Sequence, residues 1–382
     1  MHLSISKENI IDGLRKAADM IPSRTGAAYL RSVWLKGEDG KLNIIATDSN
    51  IEFMGSYKAE LKEDGLIGVN GRALYELFKR LPKGEITLIN DLEGGNLLIT
   101  QGKKKYKLPI SESSWFQAPA SFPDEKTVFW SGEFIQELID KIYFCISDED
   151  GKAISCMSIK PSAQHVEACG LNSHQFAMVT FMNDDLQSLF EASGILIQRK
   201  YLLELRSWLI SDEVEISINN KRIFFRTNEK TEIFSLPLSY YEYPDYSSFL
   251  GKVQSNDIIT VVAERDSLIN SLERIMIFNS ESNRYTNFDF SDSELTMSAQ
   301  GQEVGSAVEI IEILVTGSID RIAFPTKNLI EILGKFQSKN IKLLISSQEG
   351  PCGITGDDDE NYVVIIMPMK IAKQTYYTEE EA

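Results

Sequence analysis

GRALYELFKRLPKGEITLI, residues 71–89, decides the fold, because the chain carries it three times in recognisable form. Its counterparts are QRKYLLELRSWLISDEVEISI, residues 198–218, and PTKNLIEILGKFQSKNIKLLI, residues 325–345. Each begins with apolar residues at helical spacing and ends in the alternation of a strand. Aligned on Glu76, Glu204 and Glu331, the copies lie 128 and 127 residues apart.

Two further markers repeat in the same order. YKLPISESSWF from Tyr106, FSLPLSYYEYP from Phe234 and VIIMPMK from Val364 each run an apolar strand into a proline, Pro109, Pro237 and Pro368. IIDGLRKAADMI, FIQELIDKIYFC and DSLINSLERIMI read as an opening helix for each copy. A unit this long exceeds a solenoid repeat and has room for its own core. The expectation is an α+β chain of three similar domains, each with two helices packed on antiparallel sheets. They would span 1–126, 127–255 and 256–372. A charged, proline-bearing stretch at Ser121–Lys126 and a charged one at Gly251–Asp257 mark the joins. The acidic tail 373–382 has no apolar periodicity and is expected to be disordered.

At 382 residues, 43% hydrophobic and 25% charged, the composition is that of a soluble globular protein. The start lacks the pattern of a secretory leader and no apolar run reaches a membrane span, so a cytoplasmic location is expected. Cys145, Cys156, Cys169 and Cys352 are too scattered for a zinc site or disulfide framework and read as buried free thiols. The net charge of −17 excludes a protein that coats nucleic acid with its whole surface. A local basic patch is still possible, since charges beyond about 8 Å are largely screened.

On a helical wheel the middle helices bury one stripe: Leu74, Leu77 and Leu81, then Leu202, Leu205 and Leu209, then Leu329, Ile332 and Phe336. Four residues before each anchoring glutamate, almost opposite that stripe, stand Arg72, Lys200 and Lys327. Lys79 and Lys83 add charge in the first copy. Three equivalent cations in an acidic chain, arranged about an axis, would line it with positive charge for sequence-independent phosphate contacts.

With these features in place the chain resembles the bacterial DNA polymerase III β subunit, the β sliding clamp, over nearly its whole length to Ile371. The closing YVVIIMPMKI from Tyr362, the YPDY at 243–246, the opening helix followed by Arg24 and the TDSNIE at Thr47 carry the likeness. The resemblance implies a head-to-tail homodimer, a closed ring with helices lining a pore around double-stranded DNA and sheets outside. It adds Arg24 to the DNA-facing residues. It implies that Lys103, Lys104, Lys105, Tyr106 and Leu108 on one edge meet Ile277, Phe278, Glu303, Glu309 and Glu312 of the other copy, lysines against glutamates. It implies a groove for short peptides of polymerase, clamp loader and repair proteins, built from Ile154, Leu171, Ser173, His174, Gln175, Phe176, Pro244, Ser248, Phe249, Pro325, Asn328, Ile366, Met367, Pro368, Met369 and Lys370. Methionine and aliphatic side chains suit several ligands there. The chain departs from the family at Ser173 and Gln175, where Gly-His-Arg is common, and at Ser248 and Lys370, where arginine is frequent, so its peptide preference should differ. The acidic loop 147–153 also stands where DNA-facing polar residues are expected.

No catalytic constellation is evident. There are three histidines, and no phosphate loop, zincin or nucleophile-elbow motif. The run Asp357–Glu360 lacks the spacing of a calcium loop and reads as a solvated hairpin tip. The expectation is a protein without catalysis, metal or cofactor. The alternative to a clamp is an acidic peptide-binding scaffold on the same fold that no longer tethers to DNA.

Overall fold

The structure is a computed structural model, and it describes residues 1–22, 28–91, 93–209, 212–255, 257–280, 283–301, 303–319 and 321–370. Arg24 and the tail 373–382 lie outside these residues. Among them are eight α-helices: α1 Lys7–Met20, α2 Gly71–Arg80, α3 Gly132–Ile142, α4 Asp184–Leu189, α5 Arg199–Trp208, α6 Ser247–Val253, α7 Arg265–Met276 and α8 Thr326–Leu333. The order strand, opening helix, strands, middle helix, strands recurs three times, with α1, α3 and α7 opening and α2, α5 and α8 in the middle.

By packing, the chain gathers into two compact units. One holds Met1–Ile139, Asp184–Glu191 and Lys200–Tyr240; the other holds Asp140–Asn183, Ala192–Arg199 and the described residues from Tyr241 onward. These units cut across the boundaries expected from the repeat. The cause is hydrogen bonding: the first unit's thirteen-stranded sheet takes strands from both sides of residue 126, and the second unit's twelve-stranded sheet takes strands from both sides of residue 255. Each sheet has one seam where neighbouring repeats meet. In the first, Glu232–Pro237 pairs antiparallel with Glu52–Lys58, Ser235 opposite Glu52. In the second, Tyr362–Ile366 pairs antiparallel with Gln175–Phe181, Ile366 opposite Gln175.

The helices bury the apolar stripe and leave the opposite side wet. In α2 the Asn70 side chain accepts the Ala73 N–H at 2.9 Å, satisfying one of the free donors of the first turn. Leu74, Phe78 and Leu81 are buried, whereas Leu77 is only half-buried, so Phe78 holds the place expected for Leu77. Leu202, Leu205 and Leu209 are buried as expected, and so are Leu329, Ile332 and Phe336. All four cysteines are buried and free.

Both closing strands are anchored near their start by a buried acid. Glu232 takes Lys16 at 2.7 Å and the Tyr57 hydroxyl at 2.9 Å. Asp359 accepts from the Ser338 hydroxyl at 2.6 Å and from the Gln337 and Ser338 amides at 3.0 Å, with Lys141 at 3.6 Å. The run 357–360 is therefore not a fully solvated tip, since Asp359 is turned inward as a cap.

Candidate functional site

Arg72, Lys79, Lys83, Lys200 and Lys327 are all exposed. Each of α2, α5 and α8 thus presents a cation on the side away from its core. Lys79 sits over the Tyr75 ring at 5.9 Å and Lys200 over the Tyr201 ring at 5.2 Å, which leaves their ammonium groups at the surface. Arg72, Lys83, Lys200 and Lys327 make no ion pair among the described residues. The loop 147–153 is bound back on itself. Lys152 pairs with Glu149, and the Ser147 N–H is shared between the carbonyls of Ile154 at 3.0 Å and Leu171 at 3.3 Å. Asp148, Glu149 and Asp150 are exposed.

Most of the expected groove residues fall on one stretch of the second unit. At one end the Phe176 ring meets Tyr246 at 5.2 Å and Phe249 at 5.1 Å, over a floor of Cys169, Leu250, Val253 and Ile365, with Leu171 alongside. The shared Ser147 bond puts Ile154 next to Leu171. Burial pushes the Cys169 thiol up to about 12, so it stays protonated and acts as packing. At the other end the segment after Ile366 is held through its backbone: the Met367 N–H reaches the His174 carbonyl at 2.9 Å, and the Met369 N–H the Ala323 carbonyl at 2.8 Å. Met367 and Met369 are 36% and 43% exposed, and Pro325 and Asn328 are half-buried. Ser173, His174, Pro244, Ser248 and Lys370 are exposed and Pro368 half-buried.

Gln175 and Ile366 are buried and face each other across the seam, one residue out of step with the pair Phe176 and Ile365. Strand alternation therefore turns Gln175 and Ile366 to the other side of the sheet. Ile365, Tyr246 and Leu250, absent from the expected groove, take part in its floor and wall. The YPDY motif pointed at Tyr246; the choice between Ile365 and Ile366 needed the register.

The two expected edges are free edges. Lys104–Ser111 pairs along one side with Asn96–Gln101, but on its other side meets Gly65–Asn70 only at Ile110 and Ser111. Gly305–Thr316 pairs with Glu294–Gly301 through Glu312 and with Ile259–Glu264 from Ile313 on. Lys104–Pro109 and Gly305–Glu312 therefore each have one side without a strand partner among the described residues. Lys103, Lys104 and Lys105 are exposed, Tyr106 and Leu108 half-buried, Ile277, Glu303 and Glu312 exposed, and Phe278 half-buried. Glu309 differs from its expected role. It is held within its own unit by the Arg274 Nε and Nη2, each at 2.8 Å, and these bonds keep its carboxyl below the usual range despite some desolvation. Val308, Ile310 and Leu314, which no sequence feature singled out, are exposed on that strand beside Glu312.

No group of three or more metal-ligating side chains is assembled among the described residues. No described helix is long and apolar enough to cross a membrane.

Comparison with known proteins fits this arrangement. Residues 1–117 match the family described as DNA polymerase III beta subunit, N-terminal domain, and residues 254–370 match its C-terminal domain. The chain is 25% identical over 375 residues to the beta sliding clamp of Pseudomonas putida, covering 97% of this chain and 100% of that one. It superposes on the DNA polymerase III subunit beta of Pseudomonas aeruginosa with a TM-score of 0.89 at 23% identity, and on the sliding clamp of that organism bound to griselimycin with 0.88 at 22%. Both superpositions cover 97% of this chain and 100% of the other. The two family matches together span more than half of the chain, in order and at its two ends, and the chain belongs to the DNA polymerase III beta subunit family, the bacterial sliding clamps.

Proposed function

We propose that this chain is a DNA sliding clamp, a processivity factor with no chemistry of its own. Two copies close head to tail into a ring around double-stranded DNA, each contributing three domains divided near residues 126 and 255. Arg72, Lys79, Lys83, Lys200, Lys327 and Arg24 face the duplex and contact phosphates without reading sequence. A topological link needs little contact energy, which fits weak single cations in a chain of net charge −17. The edge Lys104–Pro109 of one copy adds to the edge Gly305–Glu312 of the other. The Phe176–Phe249 and Met367–Met369 surface takes short apolar peptides from the polymerase, clamp loader and repair proteins, in the cytoplasm.

The observation that carries this reading is the exposed cation at the same position of three equivalent helices. Its test is primer extension by the cognate polymerase and clamp loader. Added clamp should lengthen products severalfold per binding event, and combined alanine replacement of Arg72, Lys200 and Lys327 should weaken that gain. Unchanged product length with peptide binding intact would favour the acidic scaffold.

A further inference from the structure

The first unit's seam has two unlike faces. Glu52 and Ser235 pair on one of them; Phe53 and Phe234, the next pair in the ladder, lie on the other. Over that second face α1 and α5 leave a cavity of about 260 Å³. Met20, Phe53, Trp208 and Phe234 line it and are buried, and Leu203 stands at its rim, 48% exposed.

Two polar groups in the cavity wall lack partners. Trp208 stacks on Phe234, ring centroids 5.5 Å apart, and its indole N–H is buried without an acceptor. Buried donors are as a rule paired, so this one marks a place where an acceptor belongs. Glu204 makes no ion pair among the described residues, not even with Lys200 one turn earlier. Desolvation first, and then the charge of Asp48, raise its carboxyl above the ordinary 4.5; a bound cation acts in the opposite sense. The remaining charges of the wall are engaged within the chain. Lys16 holds Glu232 at 2.7 Å and Asp12 at 3.1 Å, and Asp19 holds Arg15 at 3.2 Å.

Glu204 and Trp208 are four residues apart on α5 and so share a face, their Cβ atoms about 5–6 Å apart. One small molecule can reach both. We infer that this cavity binds a small aromatic amine bearing an acceptor oxygen, with its ring over the apolar floor, its ammonium at Glu204 and its oxygen at the Trp208 N–H. Anions such as phosphates are disfavoured, because the unpaired charge in the wall is a carboxylate. The site is distinct from the peptide surface of the second unit, and it stands whether or not the chain encircles DNA.

The test follows the indole N–H resonance of Trp208 in the full chain, labelled at tryptophan with a heavy nitrogen isotope and assigned by Trp208→Phe. The probes are tyramine and para-ethylphenol, which keeps the ring and the oxygen but lacks the ammonium. Tyramine should move the Trp208 resonance saturably, and para-ethylphenol should bind at least about tenfold more weakly. Glu204→Gln, a change of charge at an exposed position, should weaken tyramine by about the same factor and leave para-ethylphenol unchanged. A Trp208 resonance that does not respond to tyramine overturns the inference. So does equal binding of the two probes, or tyramine binding that Glu204→Gln leaves intact.

Discussion

The two seams where neighbouring repeats meet are built alike and finished differently. Each pairs a closing strand with the strand after a tight turn, and each anchors that strand near its start with a buried acid, Glu232 in one and Asp359 in the other. The first seam ends in a polar lock. Glu52 accepts from the Ser235 hydroxyl at 3.0 Å and the Ala120 amide at 3.1 Å, with Arg222 at 3.4 Å, and Arg222 also donates to the Asn50 carbonyl at 2.7 Å. The second seam has Gln175 where the first has Glu52, and ends in aromatic and methionine surface held by two backbone bonds. A half-buried charge network fixes one geometry and leaves nothing for a ligand to take. Apolar surface with flexible methionines accepts many. One scaffold repeated in a chain can thus be sealed at one joint and open for binding at the next.

The largest effect should come from the buried phenylalanine on the strand at each seam. Phe53 and Phe176 are both buried, and Phe→Ala at either should cost about 3–5 kcal/mol in chemical denaturation. Only Phe176→Ala should also abolish peptide binding measured by calorimetry; equal loss from Phe53→Ala would erase the distinction between the seams. Next comes the lock itself. Arg222→Ala strands the Glu52 carboxylate and should cost about 1–3 kcal/mol while peptide affinity stays put.

The third effect is on acid stability. Desolvation raises the Asp359 carboxyl, but the Ser338 hydroxyl, the Ser338 and Gln337 amides and Lys141 together outweigh it and hold the group below its ordinary 3.8. A lowered carboxyl favours the folded state above 3.8, and that contribution fades as pH falls through the folded value. Asp359→Asn should therefore destabilise the chain at neutral pH and narrow the gap to the wild type in strong acid, as read from melting temperature against pH. A constant gap across that range would place the role of Asp359 outside its charge. The smallest effect on stability belongs to Met367→Ala, within about 0.5 kcal/mol, with peptide affinity nevertheless weakened about five- to tenfold.

The repeat, the helices and most of their buried stripes were legible because helical period and proline positions are local properties of the chain. Leu77 and Phe78 exchanged places because both lie near the edge of one stripe, and only packing decides between neighbours. Asp359 looked solvated because its partners, Ser338, Gln337 and Lys141, are distant in sequence. Between Ile365 and Ile366 the apolar run itself does not choose, because a register shifted by one residue exchanges the two faces of a strand. Glu309 looked available for a partner copy because nothing in the strand reveals Arg274 behind it. Local chemistry was readable; which side a strand residue faces, and what waits there, was not.

The central claim is topological, and retention tests it most directly. Clamp loaded onto nicked circular DNA by its cognate loader is followed by gel filtration before and after a single cut that makes the DNA linear. A ring stays on the circle and runs off the linear form. Equal retention on both would mean that the chain holds DNA by contact, or not at all, and would contradict encirclement.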